Sequence, residues 1–297
     1  MAARPQTLVT GLPLLRQGKV RDVYDLGDSL LIVASDRISA FDVVMGNGIP
    51  DKGKVLTQMS NFWFRKFADV CPNHLLLTED EQIRARLGSW TPDLAGRSVV
   101  VRKAEPLPIE CVARGYITGS LYKEYQAFGP NVHGLRLPEG LLDGSRLDDA
   151  IFTPATKAQS GHDQNLSFEE ACQLAGADTM RRVRDWTLNI YVRAAGYALE
   201  RGIILADTKF EFGWFEGELI WIDEALTPDS SRFWDRSAWQ PGGAQPSFDK
   251  QYVRDYLESI GWDKSPPGPT LPPEVVEGTR KRYLEAFQRL TGMTLAA

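Results

Sequence analysis

The stretch IILADTKFEFGWFEGELIWIDE, residues 203–224, decides how the chain is built. It reads as two β-strands joined at Glu216-Gly217-Glu218. Side chains alternate along a strand, so Asp207, Lys209 and Glu211 share one face. Phe210 and Phe212 point the other way, into a core. A three-residue turn with Gly217 or Glu218 left-handed sets Glu211 opposite Asp223. A two-residue turn would set Glu211 opposite Ile222, a poorer match, so the longer turn is favoured. The pattern predicts two carboxylates on adjacent strands with a lysine beside them.

Paired carboxylates repel unless a cation lies between them. Mg²⁺ suits the gap, because it takes one or two carboxylates and lets phosphate oxygens complete its shell. Alternating charges also suit a plain solvated strand face, and spacing alone does not choose between the two.

Upstream, residues 20–26 and 30–34 are β-prone runs separated by Gly27-Asp28-Ser29, which predicts a hairpin. Val55, Met59, Phe62, Trp63 and Phe67 fall at helical spacing, and residues 98–103 read as a further strand. Residues 128–165 have little periodicity and much Gly, Pro and Asp, so they read as a long irregular excursion. Ser167 and Glu170 form a capping box, and residues 179–201 form a longer helix that stops at Gly202. Downstream, TPDSSRFW reads as a loop, followed by helices near residues 249–260 and 274–290. The predicted class is α+β. A β-rich N-terminal lobe covers residues 1–105, a larger mixed α/β lobe covers 106–297, and a nucleotide cleft lies between them.

Composition narrows the function classes. With 297 residues, 43% of them hydrophobic, the chain can bury a large core. Its 39 acidic and 34 basic residues argue against a nucleic-acid surface, although a local cationic pocket remains open. Cys71, Cys111 and Cys172 are too scattered for a zinc site or a disulfide framework, and suit free thiols in a reducing cytosol. No apolar run reaches the ~20 residues of a membrane span, and the first twenty residues lack a secretory core. The expectation is a cytoplasmic protein with small-molecule partners, no nucleic acid and no membrane, more readily a monomer than a homodimer.

Other segments carry chemistry-bearing residues. Lys19 and Arg21, in Gly18-Lys19-Val20-Arg21-Asp22, share a strand face after a glycine and could cover nucleotide phosphates. A surface hairpin fits the same residues, and neither GxxxxGK[ST] nor a kinase GxGxxG loop is present. Residues 36–60 offer Ser39, Asp42, Lys52 and Lys54 to polar groups of a substrate. Residues 105–120 combine Glu110, Arg114, Gly119 and Ser120. An arginine fork with a backbone N–H there could hold a phosphate or carboxylate, or form an ordinary strand and turn. His162-Asp163 sits in the irregular segment, and no Ser-His-Asp or Cys-His arrangement follows from spacing.

These pieces occur together and in order: GKVRDVY, DRISAFD, IPDKGKVLTQMS, PIECVARGYITGS, FTPATKA with HDQN, LADTKFEFG, and IDEALTPDSSRFW. In that order they resemble the SAICAR synthetase family from about residue 18 to residue 234. The excursion is similar to that of its longer form, shared by fungi and some bacteria. The resemblance implies a fold related to the ATP-grasp enzymes. It also implies the ligation of L-aspartate to carboxyaminoimidazole ribonucleotide (CAIR), with ATP and Mg²⁺. By motif, Lys19 and Arg21 match positions on ATP phosphates, Glu110 one near the adenosine end, and Glu211 and Asp223 the magnesium carboxylates. Asp42, Arg114, Ser120, Lys209 and Arg232 match substrate-side positions, and Asp163 one close to the imidazole nucleotide. Lys209, Asp42 and Arg232 are the catalytic candidates. Asp42 is a proton acceptor for the incoming amine, a role a phosphate oxygen could also fill.

The reading has rivals: another ATP-grasp-like ligase, a small-molecule kinase, or a nucleotide-binding regulator without turnover. A kinase leaves a stable phosphorylated product, whereas a ligase needs an amine.

Overall fold

The computed structural model describes residues 11–157 and 164–296. The first part of the chain builds an antiparallel sheet from β1 (Leu14–Gln17), β2 (Arg21–Asp25) and β3 (Ser29–Ala34). A two-residue-strand hairpin follows, β4 (Ser39–Ala40) with β5 (Val43–Val44), then helix α1 (Lys52–Lys66). After β6 (Leu75–Leu77) and α2 (Asp80–Leu87), β7 (Ser98–Arg102) returns to give the sheet order β1-β2-β3-β7-β6. Period-two alternation splits this sheet into two faces. Tyr24, Leu31 and Val33 pack on Ile83 and Leu94. Val23, Leu30 and Ile32 are only half-buried and face the other way.

The second sheet is organised by one long strand. The short β8 (Glu105–Pro106) leads to β9 (Ile109–Tyr116), α3 (Gly119–Phe128) and the small hairpin β10 (Asn131–Val132) and β11 (Leu135–Arg136). Next come β12 (Arg146–Thr156), α4 (Phe168–Ala175) and α5 (Ala177–Leu199). The central strand β13 (Ile203–Phe215) is followed by β14 (Glu218–Ile222) and β15 (Ser231–Asp235). On one edge β13 pairs with β9 and then β8; on the other its first half pairs with β15 and its second half with β14. Helix α5 crosses this sheet, and Met180, Val183, Ile190, Tyr191 and Ala194 recur at helical spacing on its buried face. Tyr191 donates its hydroxyl to the Leu205 carbonyl at 2.7 Å, so its polar tip is satisfied inside the core.

The largest core cluster joins α1 (Val55, Met59, Trp63) and the adjoining Phe67 to Phe210, Phe212 and Trp221 of the second sheet and to Tyr283 and Phe287. Each such fully buried side chain contributes roughly 1.5–3 kcal/mol by leaving water. The last two residues belong to α7 (Pro273–Thr291), which with α6 (Gln251–Ser259) also packs on the β4–β5 hairpin through Ile38, Met45, Val253 and Val275. The sheets meet at a short strap. The His74 amide donates to the Trp221 carbonyl at 3.1 Å, and the Arg102 amide donates to the His74 carbonyl at 2.8 Å.

Two expectations are corrected here. Residues 128–165 are not wholly irregular, because they contain β12, eleven residues long and paired with β9. A register break between Arg146 and Ile151 spoils its alternation, and Pro154 sits in it. Proline is tolerated because β12 is an edge strand. Likewise TPDSSRFW is a loop only in its first half, since Ser231 onward is β15. The capping box at Ser167 and Glu170 is present as expected.

Candidate functional site

A cleft of about 1450 Å³ opens between the half-buried face of the first sheet, the β13–β14 hairpin, the start of α3 and the wall formed by the β4–β5 hairpin and α6. Lys19, Arg21, Asp42, Glu110, Ser120, Lys209, Glu211, Asp223 and Arg232 all line it. Arg114, on β9, does not itself line the cleft but is bonded to Ser120, which does. Asp163, with His162, falls outside the described residues.

The carboxylate pair forms by a different register from the one expected. The hairpin turn has two residues, Glu216 and Gly217, with φ of 51° and 80°, as a type I′ turn requires. Glu211 therefore stands opposite Ile222, not Asp223. Asp223 lies one step beyond, and its left-handed backbone (φ 70°) breaks the strand alternation, so both carboxylates line the same cleft. The longer turn was favoured to bring the acids together; the chain does so by bending after the strand. Burial, then the neighbouring Asp223 charge, lifts the Glu211 carboxyl above its ordinary value, against Lys157 and Lys209. Burial works the same way on Asp223, but Arg21, Lys157 and Lys209 outweigh it and hold that carboxyl low.

Cations surround the pair. Arg21 Nη2 donates to Asp223 Oδ2 at 2.8 Å and to Glu224 Oε2 at 3.2 Å. Lys157 pairs with Glu211. Lys209 Nζ bonds Glu110 Oε1 at 2.5 Å; burial opposes its charge, but Glu110, Glu211 and Asp223 together raise its pKa. Lys19 pairs with Asp42 across the cleft mouth, where both side chains are about half exposed (52% and 47%). Asp42 reaches that place because Phe41 and Asp42 form a left-handed two-residue turn between β4 and β5. The turn bearing Lys19 is clamped by Arg37, which bonds the carbonyls of Gly18 and Lys19 and the buried Asp22.

At the far end, Arg114 and Arg232 share the buried Asp207. Arg114 Nε also donates to Thr153 Oγ1 at 2.9 Å, which fixes the fork. Gly119 is the first residue of α3, with φ +62°, and a Cβ there would stand 2.3 Å from Arg232 Nη2. The arginine therefore lies against bare backbone at a helix N-terminus, an arrangement that favours anions.

Several site features escaped sequence reading. Val23, Leu30, Ile32, Val101, Ala104, Pro106 and Ile222 make one apolar wall beside the carboxylates. Its signal in the sequence is a second apolar face on β2 and β3, carried by Val23, Leu30 and Ile32. Lys157 and Glu224 lie within quoted motifs yet carried no spacing cue. His74 accepts the Asp223 amide on Nδ1 at 3.4 Å, and burial pushes its pKa down to about 3, so it is neutral. Lys52, considered for a substrate, is fully buried and bonded to Asp229 at 2.8 Å, so it faces none. Lys54 does not line the cleft. Among the described residues no three His, Cys, Asp or Glu side chains could hold a metal by themselves.

The profile of the SAICAR synthetase family matches residues 14–269. The chain belongs to the SAICAR synthetase family. The synthetase is therefore a carbon–nitrogen ligase. It is 57% identical over 282 residues to the phosphoribosylaminoimidazole-succinocarboxamide synthase of Geotalea uraniireducens, covering 95% of each chain. The relative of that name from Trichlorobacter lovleyi is 54% identical over 291 residues, 98% of each. The SAICAR synthase of Saccharomyces cerevisiae, solved in complex with SAICAR, superposes with a TM-score of 0.90 at 43% identity, covering 98% of this chain and 99% of that one. The Pyrococcus horikoshii SAICAR synthetase, at 23% identity and a TM-score of 0.68, shares the fold. Among the described residues no helix is long and apolar enough to cross a membrane.

Proposed function

We propose that the synthetase joins L-aspartate to CAIR at the expense of ATP, in purine biosynthesis, through an acyl phosphate formed in this cleft. The observation that carries this reading is the half-buried Glu211–Asp223 pair, flanked by cations, between an apolar wall and a two-arginine pocket. The apolar wall takes the adenine ring. Lys19 and Arg21, on the N-terminal lobe of residues 1–105, cover the triphosphate, and Glu110 lies towards the adenosine. Arg114, Ser120 and Arg232, on the catalytic lobe of residues 106–297, take the ribonucleotide phosphate.

Glu211 and Asp223 would hold Mg²⁺, an ion that takes one or two carboxylates and leaves its remaining positions for substrate phosphates and water. Bound there, the ion would screen the charge of the transferring phosphoryl group. Arg21 orients Asp223 and Lys157 orients Glu211. Lys209 keeps its proton and places a positive charge beside the substrate oxyanion. A carboxylate cannot expel oxide, so phosphorylation supplies a leaving group, and most of the work is positioning. Asp42 accepts the ammonium of aspartate and is one acceptor for its proton; an oxygen of the intermediate is the other.

The test is metal binding to Glu211→Gln and Asp223→Asn in the presence of ADP, read by Mn²⁺ paramagnetic resonance. Each variant should bind the ion at least tenfold more weakly. Wild-type affinity in both would place the metal elsewhere.

A further inference from the structure

The proposed phosphate pocket contains a hydroxyl whose orientation is set from outside it. Ser120 Oγ accepts from Arg114 Nη2 at 3.4 Å and from Asn165 Nδ2 at 3.4 Å. A serine hydroxyl has two acceptor lone pairs and a single donated proton. Neither nitrogen can accept that proton, so it is directed away from both, and Ser120 lines the cleft. Asn165 is itself held on two sides. Its backbone bridges Ala155 of β12, with Leu166 donating to the Pro154 carbonyl at 2.8 Å and Thr156 to the Gln164 carbonyl at 2.9 Å. Its amide nitrogen lies 3.0 and 2.9 Å from the two oxygens of Glu124. That contact fixes the amide's orientation, because the flipped side chain would set oxygen against a carboxylate. Glu124 stands four residues after Ser120 on α3, so both lie on one helix face and one asparagine spans them. His133 Nε2 braces Glu124 from beyond at 2.8 Å.

We infer that Asn165 and Glu124 are positioning residues that turn the Ser120 hydroxyl into an obligate donor for the phosphate of the imidazole ribonucleotide. A phosphate ester offers only acceptors at neutral pH, so a hydroxyl left free to rotate would present a lone pair to it part of the time. Neither residue needs to touch substrate. The inference rests on the reading of Arg114, Ser120 and Arg232 as the phosphate pocket.

Steady-state kinetics of the full chain test it, with CAIR, ATP and aspartate varied in turn. Asn165→Ala and Glu124→Ala should each raise the KM for CAIR about fivefold, the size of one net hydrogen bond, with kcat and the ATP KM near wild type. Glu124→Gln keeps an acceptor for the amide and should recover most of the loss. In a Ser120→Ala background, Asn165→Ala should add nothing. Three results would overturn the inference in distinguishable ways. An unchanged CAIR KM in both alanine variants, with a raised one in Ser120→Ala, removes Asn165 and Glu124 and leaves the pocket standing. A full additional loss from Asn165→Ala on top of Ser120→Ala shows that Asn165 acts by another route. An unchanged CAIR KM in Ser120→Ala and in Arg232→Lys removes the pocket, and the inference with it.

Discussion

At the scale of single residues, the site is a problem in charge placement. Glu211 and Asp223 are half-buried carboxylates that feel each other's charge, and Arg21 and Lys157 make that tolerable. Glu211→Gln and Asp223→Asn should each abolish turnover at saturating Mg²⁺ while circular dichroism stays native; near-normal activity in either would remove that residue as a ligand. The raised Glu211 pKa gives a second test, with a definite sign. A folded-state value above the ordinary 4.5 means that ionised Glu211 costs stability at neutral pH, and the cost is relieved as pH falls through the raised value. Without metal, Glu211→Gln should therefore melt above wild type at pH 7, with the gap closing as pH falls through the raised value and gone below about pH 4.5. A lower melting temperature would mean that Lys157 already neutralises Glu211 fully. Lys19 behaves differently. Its half-exposed pair with Asp42 is worth under about 1 kcal/mol, so Lys19→Ala should leave stability unchanged. It should raise the ATP KM far more than the aspartate KM; the reverse pattern would move Lys19 off the phosphates.

At the scale of elements, the loop between Asp223 and Arg232 connects the two ends of the site and is anchored by burial of charge. Asp229 receives Lys52 from α1 at 2.8 Å, Lys250 at 3.1 Å and the Tyr283 hydroxyl from α7 at 2.8 Å. Burial opposes its charge, but the charges of Lys250 and Lys52 and the hydrogen bonds from Lys52 and Tyr283 hold its carboxyl well below 3.8. Its contribution is thus present above pH 3.8 and lost as pH falls through the lower folded value. Asp229→Asn should cost about 3–5 kcal/mol at pH 7 by leaving buried ammonium groups uncompensated, measured by urea unfolding. A loss under ~1 kcal/mol would show that water reaches the lysines. Gly119→Ala, with its Cβ aimed at Arg232, should raise the KM for the imidazole ribonucleotide at least tenfold and spare that for ATP. Elements with strong periodicity were legible: α1, α5, the β2–β3 hairpin and the central β13. What the sequence hid was set by partners distant in the chain. β12 needs β9 to satisfy it, β15 needs β13, and a bend after β14, not the turn before it, delivers Asp223. The candidate site was legible as residue types in order. The pairing of Lys157 with Glu211 and of Lys19 with Asp42 was not, because nothing local encodes a contact across 54 or 23 positions.

At the scale of the whole molecule, two sheets joined at the His74 strap enclose reactants that must meet: the first offers an apolar face with Lys19 and Arg21 at its edge, the second the acid pair, Lys209 and the two further arginines. A nucleotide bridging both should stabilise the chain as one unit. With Mg²⁺ present, ADP at 100 times its Kd should add about 2.7 kcal/mol, and Asp223→Asn should lose most of that gain. The central claim is that the cleft moves a phosphoryl group onto a carboxylate before the amine attacks, and oxygen tracing tests it most directly. CAIR labelled with ¹⁸O in its carboxylate is turned over with ATP, Mg²⁺ and aspartate, and the released phosphate is analysed by mass. The account predicts one labelled oxygen in the inorganic phosphate per turnover. Unlabelled phosphate, with the label only in the amide and in water, would contradict it.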